Sequence, residues 1–219
     1  TLKLKKIHSE NIEQKIIEFK NFKEFYEISK INKNFEYSVC WIHNLDKDSI
    51  KGIYYLGNHS KKKSLIRPEI LKQKKIGILL LIILKIVNSN YYFPKIMKFI
   101  YRNYIKIFYK RICHYNDFFY PQDNIPNYNT IYGKQGFMVS QFLIPEKKFE
   151  KILSEISNYF NEKKIFYDFV ILKKFKESGR YLNFSGSGYS ISFTFLIDNK
   201  YYILKNFLNN IFSKYNLKV

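Results

Sequence analysis

No alanine occurs in these 219 residues, and there are only 2 cysteines, 1 tryptophan, 5 prolines and 8 glycines. The two cysteines, Cys40 and Cys113, stand far apart, with neither CxxC spacing nor the density of a disulfide framework. That excludes a cystine-stapled scaffold and a cysteine-based zinc site, and it fits a reducing compartment. The few glycines form no phosphate-cradling loop: GSG at Gly186 to Gly188 is too short for a dinucleotide fingerprint and reads as a hairpin turn. His8, His43, His59 and His114 show no HxxxH or HExxH spacing, and there is no GxSxG elbow, so no metal site and no serine nucleophile is expected. No apolar run approaches the roughly 20 residues that span a bilayer. The longest, Ile76 to Val87, is interrupted by Lys85. The first residues lack the apolar core of a signal peptide.

Aromatic residues are abundant instead. With 20 Tyr, 21 Phe and 46% hydrophobic residues, the chain can build a sizeable core, and intrinsic disorder is excluded. The net charge of +20 points first to nucleic acid or an anionic surface. It is discounted here because it comes from 34 Lys and 4 Arg beside 21 Asn, a bias that AT-rich codons produce. Arginine is the residue that bidentate base and phosphate recognition favours.

Hydrophobic periodicity predicts the order of elements. Glu13 to Phe19 precedes a helical pattern at Phe22, Phe25, Tyr26 and Ser29, and Glu36 to His43 (EYSVCWIH) then alternates with Tyr37, Val39, Trp41 and His43 on one face. A polar turn, Asn44 to Ser49, leads to a hairpin partner at Lys51 to Leu56. The last third repeats the plan: strand Gly136 to Ile144, helix Glu146 to Phe160, strands Ile165 to Phe175 and Tyr189 to Ile197, and a final amphipathic helix through Leu204, Phe207, Leu208, Ile211, Phe212 and Tyr215. The expected fold class is α+β, an antiparallel sheet with flanking helices in ferredoxin-like β-α-β-β repeats. Leu217 to Val219 is expected to begin one more strand. A helical insertion is expected over 61–129, within a single domain spanning 1–219. Its segment Tyr91 to Arg111 interleaves aromatics with Lys and Arg behind Pro94, as an interfacial helix does and as a core helix with a solvated basic face also does.

The chemistry that stands out is polar residues on apolar strands. Between Tyr189 and Ile197 the odd positions are aromatic or aliphatic, while Ser190, Ser192 and Thr194 occupy the even face. Val139 and Gln141 share a face of their strand, and so do Lys173 and Phe175. If the faces join, Gln141, Lys173, Ser190 and Ser192 converge on a surface suited to ligand hydroxyl and phosphate groups; otherwise they form a solvated sheet face. A lysine on an apolar cleft face is costly without a partner, so a ligand explains a desolvated Lys173 better than packing does.

These residues carry a resemblance. TLKLKKI at Thr1 to Ile7, EYSVCWIH at Glu36 to His43, FFYPQDNIPNYNTIYGKQGFMVSQFLIP at Phe118 to Pro145, FYDFVILKKF at Phe166 to Phe175 and the strand from Tyr189 resemble the substrate-binding (cap) part of FAD-dependent oxidoreductases of the decaprenylphosphoryl-β-D-ribose 2′-oxidase kind, in the vanillyl-alcohol-oxidase superfamily. The stretch ending at Pro145 is the most specific. The resemblance implies that an FAD domain precedes Thr1, that the 219 residues are a piece of a longer enzyme, and that a further strand follows. It implies oxidation of a pentose hydroxyl on a polyprenyl phosphate, with a short-chain reductase as partner. Cytoplasmic location, with peripheral contact at the inner face of the membrane, is expected, and no nucleic-acid partner.

Carried over by position, the resemblance makes Lys173 the catalytic residue and Trp41, Gln141, Phe175, Ser190 and Ser192 substrate-binding, with Gln141 also touching the cofactor, FAD. Val139 replaces a pocket glutamine, Ser190 stands where asparagine is frequent, and Ser192 where one branch has a cysteine. Two other classes remain open: a basic ferredoxin-like module that stacks nucleic-acid bases, and a membrane-surface structural protein using Tyr91 to Arg111. Salt-dependent RNA retention marks the first, and liposome binding without flavin-dependent activity marks the second.

Overall fold

A computed structural model describes residues 6–46, 49–62, 103, 111–120, 135–175 and 186–219. Along the chain these form β1 (Asn11–Phe19), α1 (Phe22–Ile31), β2 (Tyr37–Asp46), β3 (Ser49–His59), β4 (Ile112–His114), α2 (Tyr115–Phe119), β5 (Phe137–Ile144), a 3₁₀ turn (Glu146–Lys148), α3 (Phe149–Glu162), β6 (Tyr167–Phe175), β7 (Gly188–Leu196) and α4 (Tyr201–Tyr215). Both expected helices flanking the last strands are present. The helix expected from Glu146 opens as the 3₁₀ turn behind Pro145 and becomes α-helical at Phe149.

The strands form an antiparallel sheet in the order β4-β1-β3-β2-β6-β7-β5. In a ferredoxin-like repeat the fourth strand lies beside the first, followed by the third and second. The order β4-β1-β3-β2 is that arrangement complete. From β5, the order β5-β7-β6 is the same arrangement with no fourth strand among the described residues, and the two repeats join along their second strands, β2 and β6. An isolated antiparallel bridge from Leu143 to Lys218 stands at the missing position.

Much of the expected insertion, including Ile76 to Val87 and all of Tyr91 to Arg111 except Asn103 and Arg111, lies outside the described residues, as do Thr1 to Lys5 and 121–134. The described part of 61–129 includes a strand, β4, which pairs with β1 through Asn11–His114, Ile12–Cys113 and Glu13–Ile112. Three residues are too few for alternation to announce a strand. Among the described residues no helix is long and apolar enough to cross a membrane.

The chain divides into two compact units, Thr1–Ile16 with Asn34–Tyr37 and Tyr55–Gly133, and Ile17–Lys33 with Ser38–Tyr54 and Lys134–Val219. In the first, Ile12, Cys113 and Phe118 form a core with Tyr37 and Tyr55 packed against it. Gly57 makes this possible, because a Cβ there would come within 2.6 Å of the Phe118 ring and 2.7 Å of Ile12. The Ser60 hydroxyl donates to Glu13 (2.9 Å) and its N–H to the Asn11 carbonyl (2.8 Å).

In the second unit one sheet face is the core. Cys40 lies opposite Leu172, Leu172 opposite Ile191, and Ile191 opposite Phe142, a buried row across four strands. Phe160 of α3 packs edge-on against Phe193 and Phe195, and Phe212 of α4 meets Phe142 at 4.9 Å. The helix α1 joins this core through Phe22 against Phe149 and Phe25 against Tyr189. Asn21 caps it, its side chain accepting from the Glu24 N–H at 2.9 Å. Ser157 is buried in α3 and donates to the Leu45 carbonyl at 2.9 Å, tying helix to strand.

Candidate functional site

The opposite face of the same strands carries the polar residues. Trp41 stands opposite Ile171, Ile171 opposite Ser192, and Ser192 opposite Gln141. Antiparallel partners point to the same side, so these four residues form one row across β2, β6, β7 and β5, about 14 Å from end to end at the usual strand spacing. In the next row Lys173 faces Ser190 and Ser190 faces Leu143; Phe175 faces Gly188 one row further on. The faces anticipated from alternation therefore do join, and all six candidate residues lie on one side of the sheet.

They are not equivalent. Ser190 is 3% exposed and Trp41 8%, Ser192 and Phe175 are half-buried, and Gln141 and Lys173 are exposed. A strand of small residues, Ser190, Ser192 and Thr194, thus runs between longer side chains on β5 and β6. The difference in side-chain size makes a shallow trough along β7, with Ser192 half-open in it and Ser190 covered. Beyond Gln141 its wall turns apolar at Val139, which is 51% exposed.

Gln141 Nε2 donates to Ser190 Oγ at 3.0 Å, reaching diagonally past its direct partner Ser192. Lys173 corrects the expectation of a desolvated ammonium. It is exposed, because serine opposite it is too small to cover it. Among the described residues it has no ion pair or hydrogen bond, in contrast to Lys174, which points to the other face, meets Glu146 at 3.1 Å and lies over the Tyr189 ring.

Ile171 was not among the candidates, yet it links Trp41 to Ser192; its signal was sharing an alternation phase with Lys173 and Phe175. Cys40 lies on the face opposite Trp41, fully buried in the core, and burial pushes its thiol well above the ordinary range, which disfavours the thiolate. Burial also raises the phenols of Tyr26, to about 12, and Tyr189, with the Glu150 and Glu146 carboxylates adding to the effect at Tyr26 and Glu146 at Tyr189. Both stay protonated. Among the described residues no group of His, Cys, Asp and Glu could hold a metal ion.

In the first unit, spacing alone did not reveal a pairing of Tyr37 with His59. His59 Nδ1 donates to the Ser9 carbonyl (2.9 Å), and the Tyr37 hydroxyl lies 3.2 Å from Nε2 and 3.0 Å from Glu36. Burial, and then the bond to Glu36, raise the Tyr37 phenol.

The sequence matches no protein-family model, and no curated protein matches it. In structure the chain is similar to berberine bridge enzyme from Eschscholzia californica, at 11% identity and a TM-score of 0.41, over 94% of this chain and 39% of that one. A variant of berberine bridge enzyme described as a reticuline dehydrogenase is similar at 10% identity and a TM-score of 0.41, over 94% and 40% of the two chains. Another variant, in complex with (S)-reticuline, is similar at 9% and 0.43, again over 94% and 40%. The chain spans about two fifths of the length of these structures.

Proposed function

We propose that this chain is the substrate-binding (cap) part of an FAD-linked oxidoreductase that oxidises a sugar hydroxyl, the sugar being a pentose carried on a polyprenyl phosphate. The observation that carries this reading is the register of the trough: an amide held by the buried Ser190, the half-buried Ser192 hydroxyl and a lysine without a protein partner among the described residues, brought together on one face by three adjacent strands. Such groups donate to and accept from hydroxyls, and Lys173 adds a positive charge for an oxygen that becomes more negative as it loses its proton. The half-buried Phe175 and the buried Trp41 restrict water at two ends.

The described residues fit only one end of FAD. Among them no glycine-rich turn opens a helix, so the diphosphate has no cradle here, whereas the small-residue trough can cover a flat ring, with Gln141 as the group to touch it. Bound FAD would supply acceptance of the hydride from the alcohol carbon; the hydroxyl proton leaves to water beside the exposed Lys173, and this chain's residues supply placement. Gln141 and Ser192 hold the sugar, and Lys173 orients the hydroxyl. The ketone product suits reduction by a separate short-chain reductase, and a polyprenyl substrate places the enzyme peripherally at the inner face of the membrane, with Tyr91 to Arg111 as the contacting segment. Base stacking on β7 is disfavoured, because Tyr189, Phe193 and Phe195 are at most 1% exposed.

The test is anaerobic addition of geranylphosphoryl ribose to the protein purified from its native cells, in whatever polypeptide carries these residues. Bleaching of a visible flavin band, absent with geranyl phosphate alone, is expected. A colourless protein, or a flavin that the sugar leaves oxidised, contradicts the proposal.

A further inference from the structure

Ser190 is nearly fully buried on a face whose long polar residues are open to solvent, and Gln141 Nε2 bonds to its hydroxyl at 3.0 Å. The bond is diagonal. Gln141 lies directly opposite Ser192, and its side chain passes that nearer hydroxyl to reach Ser190, two residues along β7. An exposed glutamine on a strand ordinarily samples several rotamers, and a ligand that needs one of them must bear the cost of freezing it. Here the side chain is already held from below.

We propose that Ser190 is a positioning residue for ligand recognition: its buried hydroxyl holds the Gln141 carboxamide over β7, so that the amide meets a ligand hydroxyl in a fixed orientation. This deepens the sugar-site reading above and rests on it. A carboxamide has two N–H donors and a carbonyl acceptor, and Ser190 takes one of the donors. What remains is an acceptor and one donor. Lys173 stands directly opposite Ser190 on β6, and an ammonium can only donate. A hydroxyl satisfies both sides at once, accepting from Lys173 while donating to the Gln141 carbonyl oxygen. An ether or a ketone in that place can accept but cannot donate, and a deoxy carbon can do neither. The preference for a hydroxyl thus depends on the amide not turning over, and Ser190 is what prevents it.

Two measurements on the native protein test this, with geranylphosphoryl ribose as the probe. In the ligand-free state, the Gln141 side-chain amide protons should exchange with solvent more slowly than those of an unbonded glutamine, and Ser190→Ala should abolish the difference. By calorimetry, Ser190→Ala should weaken the probe about fivefold, Gln141→Ala by at least as much, and the double variant by no more than about twofold beyond Gln141→Ala alone, because the serine acts through the glutamine. Unchanged amide exchange in Ser190→Ala overturns the proposal without any ligand. So does probe affinity that falls in Gln141→Ala but stays within twofold in Ser190→Ala, and so do losses that multiply, which would mean that Ser190 touches the ligand itself. A parent protein that does not bind the probe contradicts the sugar-site reading as well, which separates the two failures.

Discussion

Leu143 donates its backbone N–H to the Lys218 carbonyl at 2.9 Å, extending the sheet beyond β5 by a single antiparallel bridge. The contact falls where the fourth strand of a ferredoxin-like repeat belongs, and Leu143 lies in the same row as Lys173 and Ser190. The strand that carries Gln141 is therefore supported on one side by β7 and, at this end, by the residues after α4. A trough built on paired strands keeps its side chains better aligned than one built on loops.

Gly188 and Gly136 should respond differently to the same substitution. At Gly188 a Cβ would run into the Ile144 carbonyl and lie 3.1 Å from Pro145, so the strand backbone must shift. At Gly136 nothing lies within 4 Å, and the obstacle is only its φ of +73°. Urea unfolding should show Gly188→Ala costing about 3 kcal/mol and Gly136→Ala about 1 kcal/mol. Equal losses would show that the close approach of β7 to β5 does not limit the position.

Glu155 of α3 should give the fold a sensitivity to acid. Its carboxylate accepts from Lys214 Nζ and the Tyr215 hydroxyl, both at 2.7 Å, clamping α3 to α4. Partial burial pushes its pKa up, but these bonds and the lysine charges outweigh that and leave it below the usual carboxylate range. A depressed folded-state value stabilises the fold above the unfolded pKa, and the contribution is lost as pH falls through the folded one. Glu155→Gln should cost about 0.5 kcal/mol at neutral pH, and the gap in Tm from the parent should close below the carboxylate range. A gap that persists unchanged into acid contradicts the clamp.

Much of this architecture is legible in the residues. The alternation of Tyr189 to Phe195 announces a strand with one aromatic and one hydroxyl face, and the stripe from Phe149 to Phe160 announces a helix. What periodicity cannot give is register. Nothing in the spacing says that Gln141 pairs with Ser192 yet bonds Ser190, or that Trp41 joins their row through Ile171. Clamps such as Glu155 with Tyr215 connect residues 60 apart and leave no local trace. The exposure of Lys173 was hidden for a related reason: its burial depends on the size of the residue opposite it, which only the pairing with Ser190 reveals.

If the hydroxyl trough holds the reacting sugar, as proposed, Lys173 is where a single substitution tells most directly. Lys173→Met keeps most of the side chain's unbranched apolar stem, removes its charge, and lies on the face away from the core, so fold and flavin content should be preserved. In anaerobic single-turnover mixing of the native protein with geranylphosphoryl ribose, flavin reduction in the variant should slow by at least about tenfold, the loss of roughly 1.4 kcal/mol of transition-state stabilisation. Reduction within about twofold of the parent would make Lys173 one more surface lysine and would contradict the assignment of the trough as the site of sugar oxidation.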